Sequence, residues 1–404
     1  MKPGRAEWRT RLLLAGVSSL VVLLLAEVAA RFLLRAAPTE RAAGTPISEL
    51  SPSLGWRTRP NGSQRISRGE FDVTISINSR GLRGPEIAYQ AAPGVRRLVI
   101  MGDSFAHGYY ADEPLTLRGR MAAALDGCAV EVLNAGSPGY STDQELLYFR
   151  EEIQKYHPAE VALFFYYNDL FFNIEARGTG NRAKPVFEEE DGILIARPPA
   201  ERLSPPRPPA DVDPTPAAGP RTAPTFHGSA LWGFAAERLQ RSRPDVQRSL
   251  SQFGLMPALS ERPPAEFLPF GPMDDAERVR VGLMWKRTGE LIRLFRDDAR
   301  RSGAGFVVFY VPSRFEVNDE AWLFVRRRYE ADRPWQRDGV RARLTSVLAN
   351  LDIPLIEAGR EFAAAERTAR RAYLAIDGHW NERGNEIAFE ALLPAMRRPL
   401  GCAG

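Results

Sequence analysis

Leu98-Val99-Ile100-Met101-Gly102-Asp103-Ser104-Phe105 sets a Gly-Asp-Ser directly after a short apolar run. The run reads as a buried strand, because a strand covered on both faces shows no polar alternation. Gly102 and Asp103 then turn the chain, and Ser104 falls at the C-terminal edge of the strand, where open α/β sheets hold their chemistry. Ser104 is therefore a candidate nucleophile. A turn of this composition also arises for backbone reasons alone, and Asp103 reads as the residue that fixes it by accepting from backbone N–H groups.

Working outward, short apolar runs alternate with amphipathic stretches. Residues 98–101 lead to a helix over 115–125. A strand over 130–133 leads to a helix over 143–156, with Ser141 or Thr142 as its N-cap, and 161–167 is the next apolar run. A helix over 276–301, a strand over 306–311, a helix over 340–350, a short strand at 354–356 and a last helix from 382 to about 396 follow. This alternation predicts an α/β domain over 95–400, a three-layer α/β/α sandwich around a mainly parallel, flavodoxin-like sheet. Before it, 36–64 reads as a polar linker. Residues 65–94 read as an accessory strand or hairpin, since 71–77 alternates apolar and polar residues. An insertion over 175–270 separates the third and fourth strands. Its proline-rich segment, 198–224, is unsuited to helix or sheet interior and reads as extended chain, with small helices expected near 231–240.

The chain has 404 residues with 54 Lys and Arg against 50 Asp and Glu, a formal net charge of +4. Its basic residues are dispersed, so a nucleic-acid partner is not indicated. Residues 12–34 form an apolar stretch whose only charges are Glu27 and Arg31, and Lys2, Arg5, Arg9 and Arg11 precede it. A stretch of about 20 apolar residues spans a bilayer, and a positive flank stays in the cytoplasm. Residues 1–35 are thus expected to form a single-pass anchor in the cytoplasmic membrane, with the body on the periplasmic or extracellular side. A cleaved signal peptide, ending near Ala29 and Ala30, is the alternative. Cys128 and Cys402 suit an exported protein with one optional disulfide, and both are expected at the sheet edge opposite Ser104.

Strands of a parallel sheet end on one edge, which gathers residues distant in sequence. Ser104 follows the first strand. Gly139, in Ser137-Pro138-Gly139-Tyr140, follows the second, and Asn168, in Tyr166-Tyr167-Asn168-Asp169, follows the third. Asp377 and His379, in Asp377-Gly378-His379-Trp380, are expected after the last strand. These are the parts that acyl transfer from an ester requires. An imidazole takes the serine proton, a carboxylate holds the imidazole, and fixed donors meet the oxyanion. Each such donor is worth about 3 to 4 kcal/mol. The backbone N–H groups of Ser104 and Gly139 and the side-chain amide of Asn168 are the candidate oxyanion hole. Among the other histidines, His157 precedes the third strand and reads as structural, His227 reads as solvated in the insertion, and His107 reads as a pocket or capping residue. No metal-ligand spacing is present, and no cofactor is called for. Asp169, Asn134, Ser137 and Thr142 fit turn or capping roles, and Tyr109, Tyr110, Tyr167 and Phe171 form an aromatic group read as packing.

In these residues the chain resembles the SGNH hydrolase family, also called GDSL-like esterases, over about residues 95–398. Gly102-Asp103-Ser104, Gly139, Asn168-Asp169, and Asp377 with His379 match its four blocks in order. The resemblance implies a membrane-anchored serine esterase removing an acyl group, such as acetyl, from a cell-envelope carbohydrate or similar substrate. Two departures stand out. Tyr166 replaces the Gly usually found two residues before the Asn, and one residue rather than two separates Asp377 from His379. The latter spacing, with Trp380 next, looks like the block of exopolysaccharide O-acetyltransferases and opens an O-acyltransferase reading. A catalytically silent binding protein is the third reading. The acyl group, the substrate and the oligomeric state stay open at this stage.

Overall fold

The computed structural model describes residues 5–35, 41–199, 239, 246, 250, 263–271, 273–329, 334–375 and 377–402. The chain divides into two units, one of Met1–Thr39, Ala218–Arg262 and Arg326–Ala331, the other of Glu40–Ala217, Pro263–Val325 and Asp332–Gly404. In the first unit the apolar run forms helix α1 (Arg5–Arg35). Leu14, Val17, Leu20, Leu23, Leu25 and Val28 stand exposed along it. Among the described residues no helix is long and apolar enough to cross a membrane. The spanning helix expected from 12–34 is thus not found among them. Residues 200–224, His227, Ile376 and nearly all of 231–240 lie outside the described residues.

The second unit opens with five short strands, β1 (Arg41–Thr45), β2 (Ser48–Ser51), β3 (Gly55–Thr58), β4 (Ser63–Arg68) and β5 (Phe71–Ser76). β1, β4 and β5 make an antiparallel sheet in that order, and β2 pairs with β3. Most of the stretch read as linker is therefore strand. Its polar residues carry no alternation, and the backbone pairing with β4 supplies the order that the side chains do not announce. β5 behaves as its pattern predicts, burying Phe71, Val73 and Ile75 and exposing the residues between. Those side chains join Ile47, Ile66, Tyr109, Tyr110 and Leu374 in one apolar cluster, which seats the small sheet on the turn after Ser104.

The main sheet consists of β6 (Arg96–Met101), β7 (Val130–Asn134), β8 (Glu160–Phe165) and two later strands. Between β8 and those strands come two hairpins, β9 (Arg177–Gly178) with β10 (Arg182–Ala183), and β11 (Val186–Glu190) with β12 (Ile193–Arg197). β13 (Gly305–Tyr310) and β14 (Leu355–Ile356) complete a five-stranded sheet in the order β14-β13-β8-β6-β7, parallel throughout. Its helices include α2 (Ser104–His107), α3 (Leu117–Ala124), α4 (Thr142–Glu151), α5 (Asp169–Phe172), α6 (Asp275–Arg301), α7 (Gly339–Asn350), α8 (Gly359–Glu366) and α9 (Glu382–Arg397). Val99, Ile100 and Met101 of β6 and Val161 to Phe165 of β8 are fully buried, as continuous apolar strands must be.

Strand order places the helices. From β6 the chain moves one way along the sheet to β7, then turns back past β6 to β8, β13 and β14. With right-handed crossovers, opposite directions of travel put the connecting helices on opposite faces. α4 accordingly packs on α6, and α3 packs on α9. The direction reverses between β6 and β8, and a parallel sheet opens a crevice at that point, beyond the strands' C-terminal ends. Ser104 and Asn168 follow the two strands that flank it.

At the opposite edge Cys128 and Cys402 are joined in a disulfide, with Cα atoms 5.4 Å apart. It closes a loop of 274 residues, which restricts the unfolded chain strongly. Cys402→Ser is expected to lower stability by about 2 to 5 kcal/mol. Thermal melting with and without reductant checks this, since only the unsubstituted chain should respond to reductant.

Candidate active site

The nucleophile turn is built by close packing. Gly102 has φ of 148°, and a Cβ there would lie 2.8 Å from the Cβ atoms of both Ala106 and Phe164. Only glycine lets β6 run into α2 so close to β8. Asp103 then caps α2, its Oδ1 accepting from the Phe105 N–H at 2.8 Å. The turn role expected of Asp103 is thus what the geometry displays. Ser104 begins the helix with its side chain at the sheet edge.

Asp377 and His379 reach the same edge by a longer route than the sequence suggests. β14 is followed first by α8, and the two residues lie in the loop between α8 and α9. Leu374 N–H donates to His379 O at 2.8 Å, and Asn381 N–H to Ala372 O at 3.0 Å, which folds the loop back on itself. Asn381 then caps α9.

Ser104 Oγ lies 2.7 Å from His379 Nε2, and His379 Nδ1 bonds to Asp377 Oδ1. The single intervening residue is enough for the carboxylate to reach the near ring nitrogen. The other carboxylate oxygen, Asp377 Oδ2, accepts from the Tyr110 hydroxyl at 2.9 Å and lies 3.8 Å from the Arg68 guanidinium. Phe105 stacks on the imidazole with centroids 4.7 Å apart, and Tyr110 packs on it at the same distance. His379 and Asp377 are each 2% exposed, so this chain of polar groups is shielded from water.

A cleft of about 470 Å³ opens over Ser104 and His379. Gly139 and Asn168 line it beside Tyr166, Tyr167, Phe171 and Glu266. Gly139 has φ of +80°, and Arg182 and Thr179 crowd the place a Cβ would take, so a side chain is disfavoured twice over. The Asn168 Oδ1 is buried and has no hydrogen-bond partner among the described residues. Tyr166, which stands where a Gly was expected, packs against Phe105 at 4.8 Å. Burial pushes the Glu266 carboxyl up to about 7, so near neutral pH its protonated and ionised forms are both present.

His107 is fully buried, and neither ring nitrogen has a partner among the described residues. Burial and then the nearby Arg83 charge push its pKa well below the usual histidine value, so it stays neutral. Beneath the turns lies a set of buried acids. Burial raises Asp103 to about 6, and burial with mutual repulsion raises Asp169 and Glu145 well above the carboxylate range. Asp169 Oδ2 accepts from the Tyr166 N–H at 3.2 Å, a turn role. Asn134 likewise holds the loop after β7, its Oδ1 accepting from Gly136 N–H at 3.0 Å.

The sequence reading missed two contacts to Asp377. Tyr110, which its aromatic neighbours mark for packing, both packs on the imidazole and donates to Asp377. Arg68 sits in β4, outside the α/β pattern, and no local signal marks it.

No family model matches the chain, and no curated protein matches it. Among solved structures it is similar to LAE5, an α/β hydrolase enzyme from the metagenome of Lake Arreo, Spain, with 12% identity over 78% of this chain and 99% of that one, at a TM-score of 0.38. A catalytic mutant of Axe2, an acetylxylan esterase from Geobacillus stearothermophilus, shares 10% identity over 78% of this chain and 98% of that one, at 0.37. A lipase/acylhydrolase from Enterococcus faecalis shares 13% over 75% and 96%, at 0.36. At such low scores and identities these likenesses carry no argument about activity, which rests on the geometry above.

Proposed function

We propose that this chain is a serine esterase of SGNH type that hydrolyses an acyl ester, an acetyl group on a cell-envelope carbohydrate being the substrate class that fits best. The observation that carries the reading is the continuous contact from Ser104 Oγ through His379 to Asp377, buried at the floor of an open cleft. In the proposed reaction Ser104 Oγ attacks the ester carbonyl as His379 Nε2 takes its proton. Asp377 keeps the ring oriented and stabilises the imidazolium. The N–H groups of Ser104 and Gly139 and the amide of Asn168 meet the oxyanion. The intermediate collapses as His379 returns the proton to the leaving alkoxide, and water then repeats the sequence on the acyl-enzyme.

The lining supports a carbohydrate. Phe171 offers a flat apolar face, and Glu266 offers a carboxyl for ring hydroxyls. An O-acyltransferase would differ only in replacing that water with a glycan hydroxyl. Trp380, the last residue of the Asp377-Gly378-His379-Trp380 block that with the anchor motivates that reading, packs against Phe105, Phe164 and Phe362 in the core and does not line the cleft. Hydrolysis is therefore preferred. Anchoring by the N-terminal helix, with the body outside the cytoplasm, is part of the proposal, supported by the basic flank and the single disulfide. A fluorophosphonate probe tests the chemistry. The expected result is a single adduct, mapped to Ser104 and lost on prior heating; a folded chain that takes no label contradicts the proposal.

A further inference from the structure

The loop carrying Gly139 is held from behind by elements outside the main sheet. Trp56 of β3 is fully buried, its indole N–H donating to Pro138 O at 3.1 Å and its carbonyl accepting the Tyr140 hydroxyl. The β9–β10 hairpin lays Arg182 on this tryptophan, the guanidinium carbon 3.8 Å from the ring centroid. Arg182 Nε donates to Thr179 O at 3.1 Å, and its Nη2 lies 3.2 Å from the point a Cβ on Gly139 would occupy.

A desolvated guanidinium ordinarily sits against a carboxylate. Lys184, two residues on, does so, paired with Asp143 in full burial. Among the described residues no carboxylate pairs with Arg182. Burial draws its pKa down to about 10, which leaves it cationic at neutral pH. The fully buried Lys184 is compensated and the half-buried Arg182 is not. The uncompensated one lies directly behind an oxyanion donor.

We propose that Arg182 is a positioning residue of the oxyanion hole, its guanidinium fixed on Trp56 behind Gly139 to hold that loop and to supply positive charge where the tetrahedral oxyanion develops. This rests on reading Ser104 as the acyl-accepting nucleophile. The ester carbonyl is neutral and the intermediate is anionic, so a fixed charge favours the transition state over bound substrate. Its loss should appear in kcat and leave KM in place.

The test uses Arg182→Met and Arg182→Lys in the full chain, with kcat and KM for p-nitrophenyl acetate measured from neutral to alkaline pH and melting curves run beside them. Arg182→Met is expected to lower kcat roughly 10- to 100-fold, less than removal of a direct donor, with KM within about 2-fold. Arg182→Lys should keep most of the neutral-pH kcat. It should then lose it through an alkaline ionisation about 2 pH units below that of Arg182, the ordinary gap between lysine and arginine. Arg182→Gln keeps a donor for Thr179 O without the charge and takes the place of the Met variant should that one fail to fold. Lys and Met variants equally impaired at every pH would assign Arg182 a purely structural part and overturn the proposal, as would a rise in KM alone or an unchanged kcat. A wild-type chain that hydrolyses no ester removes the esterase reading and this proposal together. An active wild type with an unaffected Met variant removes only this one.

Discussion

Ser104→Ala is expected to lower hydrolysis of a small aryl acetate by at least ~10⁴-fold, leaving a melting temperature within about 2 °C of the unsubstituted chain. The substitution deletes a single oxygen at the floor of the cleft. Asp103 still caps α2 through the Phe105 N–H, and Gly102 still packs on Phe164. His379 keeps its bond to Asp377 and its stacking on Phe105, so the fold loses only the 2.7 Å contact to Nε2. The reaction loses its covalent route. What survives is attack by water in a site that still holds oxyanion donors, which in comparable triads amounts to about 10³-fold over water alone. Steady-state kinetics and a melting curve check both parts. A variant retaining more than a few per cent of the activity would show that another group attacks the ester, and the assignment of Ser104 would fail.

The sheet was legible because its strands are buried on both faces. Runs such as 98–101 and 161–167 carry no charged residue to blur their ends, and α6 repeats its buried positions at Val281, Trp285, Thr288, Ile292 and Phe295 in helical steps. Strands that depend on partners were not legible. β1 pairs Arg41-Ala42-Ala43-Gly44-Thr45 with β4 through its backbone, and nothing in those side chains distinguishes a strand from a linker. α8 was missed for a related reason, being a short helix lodged between a two-residue strand and the loop of His379. At the site, the edge of the sheet gathers Ser104, Gly139 and Asn168 into one cleft, a convergence that parallel strands impose on residues far apart in sequence, and His379 joins them from the loop between α8 and α9. Arg68 and Arg182 act from added β elements instead. Their positions depend on how those elements pack, which no periodicity within them encodes.

Asp377→Asn should cost roughly 10⁴-fold in kcat, and Tyr110→Phe only about 10-fold, though both change groups on one hydrogen-bonded chain. The carboxylate accepts at both oxygens, from the imidazole at Oδ1 and from the Tyr110 hydroxyl at Oδ2. An amide at position 377 can present an N–H to Nδ1, which selects the tautomer with the proton on Nε2. That nitrogen can then no longer take the proton from Ser104 Oγ, and the imidazolium loses its counter-charge. The Tyr110→Phe variant would leave the carboxylate and the tautomer intact. It would remove one donor from a buried acceptor, a loss of about 1 to 3 kcal/mol, part of which the Arg68 guanidinium 3.8 Å away offsets. The two variants therefore separate the placing of the proton from the orientation of the ring. Single-turnover acylation rates for both give the comparison directly. Equal losses would mean that Asp377 serves only to hold the ring in place, and the role given to its charge would have to be withdrawn.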